Sequence, residues 1–442
     1  MLKLKNYRGK KIGILGLGLS GKALFEALKK AGADIVLWDD RLENGAYQAY
    51  IAHPEHPKWH DIEQLIISPG IQHRGAFAHP VVSKLNKSCE IFCDIELFYR
   101  SLTATNKTIA ITGTNGKSTT TALIAHILEF CGIDVQMAGN IGVPVSSINI
   151  VEHESYVLEL SSYQLDKLCD AHFNISVLTN ITPDHLEMHG NMTNYTNAKM
   201  RIFDKQTQSD YGIVCVDNRV CVEISMRLTE QNFIAVSKER ILDLGVSLVK
   251  GIIYDHYFQN QAIEFHQPIA LSGSHNSENI ICAIAATLAF GLKLEAILDA
   301  IYCFEPLAHR LEYLGNKGGV SFVNDSKGTN FDSTRHALAA YQNIHWIAGG
   351  KAKEGGIEGF EEYVGHIKAA YLIGSSESAF AQTIGTSIPY IKCGTLERAF
   401  NLAVANATEG DVILLSPASA STDQWKNFEE RGEAFRLFFN LL

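Results

Sequence analysis

The sequence lacks the features that mark several specialised classes of protein. Its longest apolar stretch, residues 280–292, is too short to span a bilayer. Its nine cysteines are scattered without the paired spacing of a metal site, and an odd number suits a reducing compartment better than a disulfide framework. The net charge of −10, with no strongly basic region, argues against nucleic acid as the main partner. We therefore expect a cytoplasmic protein that binds neither membranes nor nucleic acid.

The beginning of the chain only superficially resembles a secretory signal. Basic residues at positions 3–11 precede an apolar run at residues 12–19. That run is rich in glycine, is followed at once by Lys22, and has no small-residue cleavage site. We expect a first β-strand here rather than a leader peptide.

The composition is that of an ordinary globular protein with a proper core. Hydrophobic residues make up 46% and charged residues 19% of the 442 positions. Short apolar runs alternate with segments of helical spacing, and we find no internal repeat, low-complexity tract or coiled coil. The pattern predicts an α/β protein of three domains with mainly parallel, doubly wound sheets. These are a Rossmann-like domain (1–96), a central domain like the P-loop ATPases (97–306) and a Rossmann-like C-terminal domain (307–442).

The first domain opens with a glycine-rich turn of the nucleotide-binding kind. A strand at residues 11–15 leads into Gly-x-Gly-x-x-Gly at residues 16–21, and a helix then ends near Gly32. A second strand at residues 35–38 closes on Asp39, where an acidic residue usually meets a ribose hydroxyl in a dinucleotide site. The motif alone is weak evidence for which nucleotide binds. A nicotinamide-dependent oxidoreductase is therefore one alternative.

The central domain begins with a phosphate-binding loop. A strand at residues 108–111 runs into Thr112-Gly113-Thr114-Asn115-Gly116-Lys117-Ser118-Thr119, and a helix starts at about Lys117. The first N–H groups of such a helix face an anion, and its dipole favours negative charge. Lys117 is placed to reach a terminal phosphate, and Ser118 or Thr119 to offer a hydroxyl to Mg²⁺. Only two residues separate Gly113 from Gly116, so the loop departs from the general G-x-x-x-x-G-K-[ST] pattern.

Two candidate metal ligands lie at the ends of two strands of the same predicted sheet. Glu159 ends an apolar strand at residues 156–160, and His185 lies in the loop after the strand at residues 175–178. Carboxyl ends of parallel strands meet at one edge of a sheet, where the phosphate loop also ends. A carboxylate and an imidazole beside phosphates suit Mg²⁺ or Mn²⁺. For His185 alone, a capping or core histidine is an equal alternative.

Two polar loops mark the third region. Residues 324–330 read Asn-Asp-Ser-Lys-Gly-Thr-Asn after a strand at 320–323, and residues 416–421 read Ser-Pro-Ala-Ser-Ala-Ser after a strand at 412–415. Such loops either bind a small anion at a helix N-terminus or simply start a helix.

Taken together, these motifs resemble the Mur ligases, the ATP-dependent amino-acid ligases of peptidoglycan synthesis. The resemblance runs along the whole chain and is carried by the phosphate loop and by these further segments: Gly139-Asn140-Ile141-Gly142, Glu159-Leu160-Ser161-Ser162, Asn180-Ile181-Thr182-Pro183-Asp184-His185, Gly273-x-His275-Asn276-x-x-Asn279 and His309-Arg310. Within the family, the branch that adds D-glutamate is the most similar. Its marks are residues 324–330, Gly349-Gly350-x-x-Lys353, and residues 415–424; the Asn-Pro-Arg motif of the diamino-acid-adding branch is absent.

The resemblance implies an ATP-dependent amide ligase that joins D-glutamate to UDP-N-acetylmuramoyl-L-alanine through an acyl phosphate. It implies ATP, two Mg²⁺ ions and a monomeric enzyme, with Lys199 carried as a carbamate; from the sequence alone, Lys199 reads as a plain lysine on a helix surface. The implied catalytic residues are Lys117, Glu159, His185 and Lys199, and the implied metal ligands are Ser118, Thr119, Glu159, His185 and Lys199. The implied ATP-binding residues are Gly113, Thr114, Asn115, Gly116, Lys117, Ser118, Thr119, Asn276, Arg310 and Asp325.

The resemblance also divides the remaining substrate contacts among the three domains. The uridine end of the substrate is implied at Ser20, Asp39, Asp40, Arg41 and Ser68, and its lactyl-alanine end at Asn140 and His185. D-Glutamate is implied at Thr329, Lys353, Ser421 and Phe428. Two positions depart from the family pattern: Lys351 replaces an acidic residue and Trp425 a smaller aromatic. A folate polyglutamating ligase and a non-catalytic binding protein are further alternatives, which the full first domain and the intact Lys117, Glu159 and His185 respectively disfavour.

Overall fold

The computed structural model describes the chain except residues 1, 3, 5, 41–46, 75–77, 142, 269, 270, 272, 306, 307 and 352–355, and except the side chains of residues 19, 187, 275 and 332. The chain forms two compact units. One comprises Met1–His266 with Asn276–Cys303, and the other comprises Gln267–His275 with Phe304–Leu442. Within the described ranges, no helix is long and apolar enough to cross a membrane.

The first sheet belongs to the first unit and is wholly parallel, in the order β2-β1-β3-β4. Its strands are β1 (Lys11–Leu15), β2 (Asp34–Trp38), β3 (Gln64–Ile67) and β4 (Glu90–Phe92). The accompanying helices are α1 (Leu19–Ala31), α2 (Pro80–Lys84) and α3 (Asp94–Tyr99). The strands at residues 11–15 and 35–38 therefore form where the sequence predicts them.

The second sheet of this unit has nine strands, in the order β13-β12-β11-β10-β9-β8-β5-β7-β6. They are β5 (Lys107–Thr112), β6 (Val135–Gly139), β7 (Ser155–Glu159), β8 (Ile175–Leu178), β9 (Tyr211–Cys215), β10 (Asn232–Ser237), β11 (Val246–Val249), β12 (Ile252–Asp255) and β13 (Gln261–Glu264). The helices are α4 (Lys117–Phe130), α5 (Ser162–Leu165), α6 (Leu186–His189), α7 (Met192–Met200), α8 (Arg219–Ser225), α9 (Ser274–Phe290) and α10 (Leu294–Tyr302). Only β12 pairs antiparallel, with β11 and β13.

The second unit holds a six-stranded sheet in the order β14-β15-β19-β16-β17-β18. Its strands are β14 (Glu312–Lys317), β15 (Val320–Asn324), β16 (Ile344–Gly349), β17 (Ile367–Ile373), β18 (Tyr390–Gly394) and β19 (Val412–Leu415). Its helices are α11 (Phe331–Ala340), α12 (Glu377–Ile384), α13 (Leu396–Asn406) and α14 (Phe428–Leu441). Only the edge strand β14 runs antiparallel. The prediction of an α/β fold with mainly parallel sheets is thus confirmed.

The two sheets of the first unit share one continuous hydrophobic core. Buried Ile12 and Phe25 of the first sheet region belong to the same cluster as Leu158 and Phe173 beside the second sheet. The predicted boundary between residues 96 and 97 lies inside α3, and the one between residues 306 and 307 lies outside the described residues. The three sheets fall within the three predicted ranges, while the domain limits themselves remain a prediction.

Glu96 ties α3 to the chain beside the second sheet. Its fully buried carboxylate accepts hydrogen bonds from the backbone N–H groups of Cys169 (2.9 Å), Asp170 (3.1 Å) and Ala171 (3.1 Å), and from Arg100 Nε (3.0 Å). Glutamine offers only one acceptor oxygen, so the substitution leaves buried donors unpaired.

We expect Glu96→Gln to lower the free energy of unfolding by about 3 kcal/mol and to speed amide exchange at residues 169–171. Urea unfolding and hydrogen exchange measure the two effects. Glu90→Gln is the matched control, because Glu90 pairs with the same Arg100 (3.0 Å) at the surface, where an ion pair contributes about 1 kcal/mol or less. Equal effects of both substitutions would show that Glu96 does not fasten this junction.

Candidate active site

The phosphate loop is folded as its glycines predict. Gly113 has φ +155° and Gly116 has φ +79°, both in the region that favours glycine. A Cβ atom on Gly113 would overlap Thr179 Oγ1, and one on Gly116 would overlap Asn279 Oδ1. The loop therefore passes β8 and α9 too closely for any other residue, and α4 begins immediately after it at Lys117.

The segment after β8 holds the loop in place. Thr114 N donates to Asn180 O (2.9 Å), and Thr179 Oγ1 donates to Asn115 O (2.7 Å). Thr114 Oγ1 accepts from Thr182 N (3.0 Å) and lies 3.0 Å from the hydroxyl of Tyr195. These bonds within the protein hold the backbone of the loop in one conformation, which is the property that a preorganised phosphate site needs.

Lys117 lies at the mouth of this loop. It is half-buried, and Nζ donates to the carbonyl oxygens of Gly113 (3.0 Å) and Thr114 (2.7 Å). The ammonium thus lies over the loop and at the first turn of α4, where the backbone dipole also favours an anion. Thr119, on the same turn, is half-buried as well.

Glu159 ends β7, as the sequence predicts, and it faces the first turn of α4. Its carboxylate is 2% exposed and accepts hydrogen bonds from Ser118 Oγ and from Asn140 Nδ2 (2.8 Å). β7 and β8 both flank β5 in parallel, so their carboxyl ends lie at the edge where the phosphate loop begins. The arrangement gathers hydroxyl and carboxylate oxygens, the ligands that hard divalent cations prefer.

His185 precedes α6 in a left-handed conformation with φ +55°. Its Nε2 atom lies 3.4 Å from Asp184 Oδ2, and its ring centroid lies 5.0 Å from that of Tyr163. Among the residues that the structure describes, no group of three His, Cys, Asp or Glu side chains is arranged to hold a metal ion. Glu159 and His185 are therefore not part of such a group.

Lys199 of α7 is buried, so the interpretation of a surface lysine is wrong. The side chain is 2% exposed, and Nζ donates to Gly113 O (2.6 Å) and approaches Thr112 Oγ1 (3.4 Å). Its ammonium also lies 4.8 Å from the centroid of the Tyr195 ring. Burial, together with the charge of Lys117, holds the pKa of Lys199 well below its usual range. Helical periodicity could not reveal this, because α7 is polar on most of its faces.

The first turn of α9 lies against the other end of the loop. Asn279 Nδ2 donates to Asn276 Oδ1 (3.0 Å), and Thr120 Oγ1 of α4 donates to Asn279 Oδ1 (3.2 Å). Asn276 is 8% exposed, so its amide is part of the packed wall beside the loop.

The glycine turn of the first sheet gathers three of the residues assigned to the uridine end of the substrate. Asp39 Oδ2 accepts from Leu17 N (2.5 Å), and Ser68 Oγ donates to Gly16 O (3.3 Å). Ser20 lies in α1, and its carbonyl accepts from Ser146 Oγ (3.1 Å). Asp40 is exposed and accepts from Trp38 Nε1 (2.7 Å), a bond that lowers the pKa of its carboxyl group. Arg41 and Gly142 lie outside the described residues.

In the second unit, Asp325 follows β15 at the carboxyl edge of the sheet. Its Oδ2 atom accepts from Ser416 Oγ (2.6 Å) and Oδ1 accepts from Leu311 N (3.3 Å). Burial raises its pKa to about 7, against the opposing effects of the Ser416 hydrogen bond and the charge of half-buried Arg310. A buried carboxyl group whose pKa is raised this far is a candidate for a functional residue.

Arg431 links the loops at that edge of the sheet. In the sequence it is only one polar residue after the last loop. It is fully buried and donates to Ser326 O (2.8 Å), Ser419 O (3.1 Å) and Gly349 O (3.4 Å), one carbonyl from the segment at the end of each of three parallel strands. Ser421, in one of these loops, is 3% exposed.

The remaining residues assigned to D-glutamate are distributed as follows. Thr329 is half-buried and its N–H donates to Lys327 O (2.7 Å); the ring of Phe428 lies 3.9 Å from Lys327 Nζ. Lys351, in the first departure from the family pattern, is exposed and pairs with Ala420 through two backbone hydrogen bonds. Trp425, the other position that departs from the family pattern, is partly buried and packs against the hydrophobic core beside β19. Lys353 lies outside the described residues.

Comparison with known proteins places these features in one family. Residues 111–287 match the Mur ligase middle domain and residues 309–419 match the Mur ligase, glutamate ligase domain. A protein of Rickettsia bellii named UDP-N-acetylmuramoylalanine--D-glutamate ligase is 40% identical over 99% of this chain and 98% of its own length. Its namesake in Paramagnetospirillum magneticum is 38% identical over 99% of this chain and 97% of its own.

Solved structures share the fold at lower identity. UDP-N-acetylmuramate-alanine ligase of Thermotoga maritima has a TM-score of 0.60 and 17% identity, covering 97% of this chain and 99% of that one. The MurF ligase of Thermotoga maritima, solved in complex with ADP, has a TM-score of 0.60 and 16% identity, covering 98% of this chain and 95% of that one. With the sequence identities above, these matches lead to one conclusion: the chain belongs to the Mur ligase family.

Proposed function

We propose that this protein is an ATP-dependent ligase that adds D-glutamate to UDP-N-acetylmuramoyl-L-alanine in the synthesis of peptidoglycan precursors. The observation that carries the proposal is the prefolded phosphate loop, with Lys117 over it and buried Glu159 and Lys199 beside it. The relatives that match nearly the full length of the chain bear the name of this activity. The enzyme acts as a cytoplasmic monomer.

The reaction proceeds through an acyl phosphate. The terminal phosphoryl group of ATP passes to the alanyl carboxylate of the uridine substrate and leaves ADP. The amine of D-glutamate then attacks the acyl carbon, and the tetrahedral intermediate collapses to the amide and inorganic phosphate. Lys117 and the N–H groups at the start of α4 neutralise charge on the transferred group, which is where such active sites gain most of their rate.

The residues at the loop fit a divalent cation. Ser118 and Glu159 already bring a hydroxyl and a carboxylate oxygen together. Thr119, His185 and a carbamate on Lys199 would complete the set that we assign to two Mg²⁺ ions. When bound, Mg²⁺ supplies positive charge to the phosphate oxygens and helps to align them. The protein's own part is to hold Glu159 in place, which it does through Asn140.

The environment of Lys199 fits a carbamate. A lysine with a depressed pKa carries more of the neutral amine, which is the form that adds CO₂. A carbamate there would supply anionic oxygens where a buried ammonium now lies close to the charge of Lys117.

The other assigned residues divide among the substrates. The nucleotide is bound by the phosphate loop with Asn276, and Arg310 and Asp325 are its ligands on the second unit. The uridine end belongs to Ser20, Asp39, Asp40, Arg41 and Ser68, the lactyl-alanine end to Asn140 and His185, and D-glutamate to Thr329, Lys353, Ser421 and Phe428.

The direct test is release of phosphate and ADP. We expect release only when ATP, the uridine substrate and D-glutamate are all present, measured with a coupled phosphate assay. ATP hydrolysis at the same rate with and without the amino acid would contradict the ligase assignment.

Amino-acid binding has a test of its own. We expect Lys353→Ala and Ser421→Ala each to raise the KM for D-glutamate about tenfold or more while changing that for ATP much less, because each removes a partner of a substrate carboxylate. Steady-state kinetics with each substrate varied in turn measures this. Ser387→Ala, at an exposed serine of the same unit, is the matched control. Equal changes for all three substrates would point to a damaged fold instead.

A further inference from the structure

The position of the phosphate loop depends on the side-chain amide of Asn180. Its Oδ1 atom accepts from Asn115 N (2.9 Å), and its Nδ2 atom donates to Asn115 O (3.2 Å). The amide thus hydrogen-bonds to both the N–H and the C=O group of Asn115. Because its two ends are chemically different, this arrangement works in one orientation of the amide only.

Glu278 selects that orientation. Asn180 Nδ2 also donates to Glu278 Oε1 at 2.6 Å, which is short for an N–H···O bond and typical of a charged acceptor. Turning the amide over would put a carbonyl oxygen against the carboxylate and an NH₂ group against Asn115 N. Glu278 is next to Asn279 in α9, and the side chain of Asn279 packs closely against Gly116. This part of α9 therefore lies beside two successive loop residues, Asn115 and Gly116.

We propose that Glu278 is a positioning residue that holds the phosphate loop in its nucleotide-binding conformation by orienting the amide of Asn180. The proposal rests on the function proposed above and adds a residue that the sequence motifs did not single out. Glu278 acts through Asn180 and does not itself touch the nucleotide.

The surroundings of Glu278 make its charge sensitive to pH near neutrality. Burial raises its pKa to about 7, partly countered by the Asn180 hydrogen bond and by the charge of Lys238. Asp217 and Glu239 act in the raising direction, and the thiols of Cys215, Cys221 and Cys282 are within electrostatic reach. Above neutral pH the carboxylate of Glu278 is ionised and accepts the hydrogen bond from Asn180 more strongly. The orientation of the Asn180 amide is therefore held most strongly above neutral pH and less strongly as the pH falls.

The test is ADP binding by calorimetry to the full-length protein and its variants. We expect Glu278→Ala to weaken ADP binding about ten- to hundredfold, as loss of one charged hydrogen bond implies, with an unchanged KM for D-glutamate. Glu278→Gln should retain part of the affinity, because its oxygen still accepts from Asn180. The affinity ratio of the wild type to Glu278→Gln should fall as the pH is lowered through neutrality. Glu295→Gln, which replaces an exposed carboxylate on α10 of the same unit, is the control and should keep wild-type affinity.

Melting temperatures distinguish this positioning role from a merely structural one. Burial raises the pKa of Glu278 in the folded protein, so ionising its carboxyl group costs stability above neutral pH. Under the proposal, Glu278→Gln should therefore melt at a temperature no lower than that of the wild type above neutral pH. A lower melting temperature with unchanged ADP affinity would overturn the proposal. In a double-mutant cycle, adding Glu278→Ala to Asn180→Ala should weaken ADP binding no further, and additive losses would also overturn it. If the wild type itself fails to bind ADP or to ligate, the proposed function is wrong. If the wild type is active and the Glu278 variants bind ADP equally well, only this inference is wrong.

Discussion

Replacing Lys117 with alanine is expected to slow ligation by about 10²–10³-fold, the usual cost of removing one preorganised charge contact with a developing anion. Lys117 Nζ lies over the loop through its bonds to Gly113 O and Thr114 O, so the substitution also removes a brace of the loop itself. Binding of the uridine substrate should survive, because its assigned residues at the glycine turn lie on a different sheet.

Single-turnover ligation measures the rate, and calorimetry with the uridine substrate measures the binding that should remain. Lys205→Ala is the matched control, since Lys205 is an exposed lysine of the same unit that pairs only loosely with Asp170 (3.7 Å). Near-normal turnover of Lys117→Ala would contradict the phosphate-loop role. Loss of uridine binding in the same variant would show damage beyond the loop.

Lys199→Ala should be folded yet lose about 10²-fold or more of its activity at ordinary Mg²⁺ concentration, if the carbamate supplies oxygens that support the cation. The vacated space lies beside Gly113 O and Thr112 Oγ1, next to the phosphate loop. Acetate or formate should restore part of the activity, because either returns a negatively charged oxygen to that space. Removal of bicarbonate at mildly acidic pH should weaken the wild type, since the amine must be neutral to add CO₂.

Lys167→Ala provides a control with a similarly buried lysine. Lys167 is 4% exposed and donates to the carbonyl oxygens of Pro69 (2.7 Å) and Tyr163 (3.2 Å), away from the phosphate loop. Short carboxylates should not rescue this variant. Carbon-13 labelled bicarbonate should give a carbamate signal in the wild type that disappears in Lys199→Ala and persists in Lys167→Ala. Full activity of Lys199→Ala would show that ligation does not depend on a carbamate at this position.

The strands that carry the site were predictable because each is a short, mainly apolar run followed by a polar or glycine-rich loop. The strands at residues 175–178 and 412–415 have the bounds that their sequence indicates, and the loops after them carry Asn180 and Ser421. The rule that parallel strands end at one edge then correctly places the phosphate loop, Glu159 and the loop of His185 together. Membership of the Mur ligases also makes the oxidoreductase alternative wrong.

The features that escaped prediction depend on contacts between segments far apart in sequence. Strands β12 and β13 at the end of the second sheet are half-exposed, and their alternation is too short to stand out from a loop. Lys199 and Arg431 carry charge on helices and read as surface residues, yet tertiary packing buries both beside backbone carbonyls. The role of Glu278 also escaped prediction, because Asn180 lies 98 positions away in the sequence and only the fold brings the two side chains within hydrogen-bond distance.

One measurement tests the central claim most directly: mass-spectrometric detection of the product formed from UDP-N-acetylmuramoyl-L-alanine and ATP with a panel of amino acids. We predict a product one glutamyl residue heavier with D-glutamate, no product with L-glutamate or D-aspartate, and ADP formed in equal amount. Product formation with a diamino acid or L-alanine in preference to D-glutamate, or nucleotide hydrolysis with no amide product, would contradict the account.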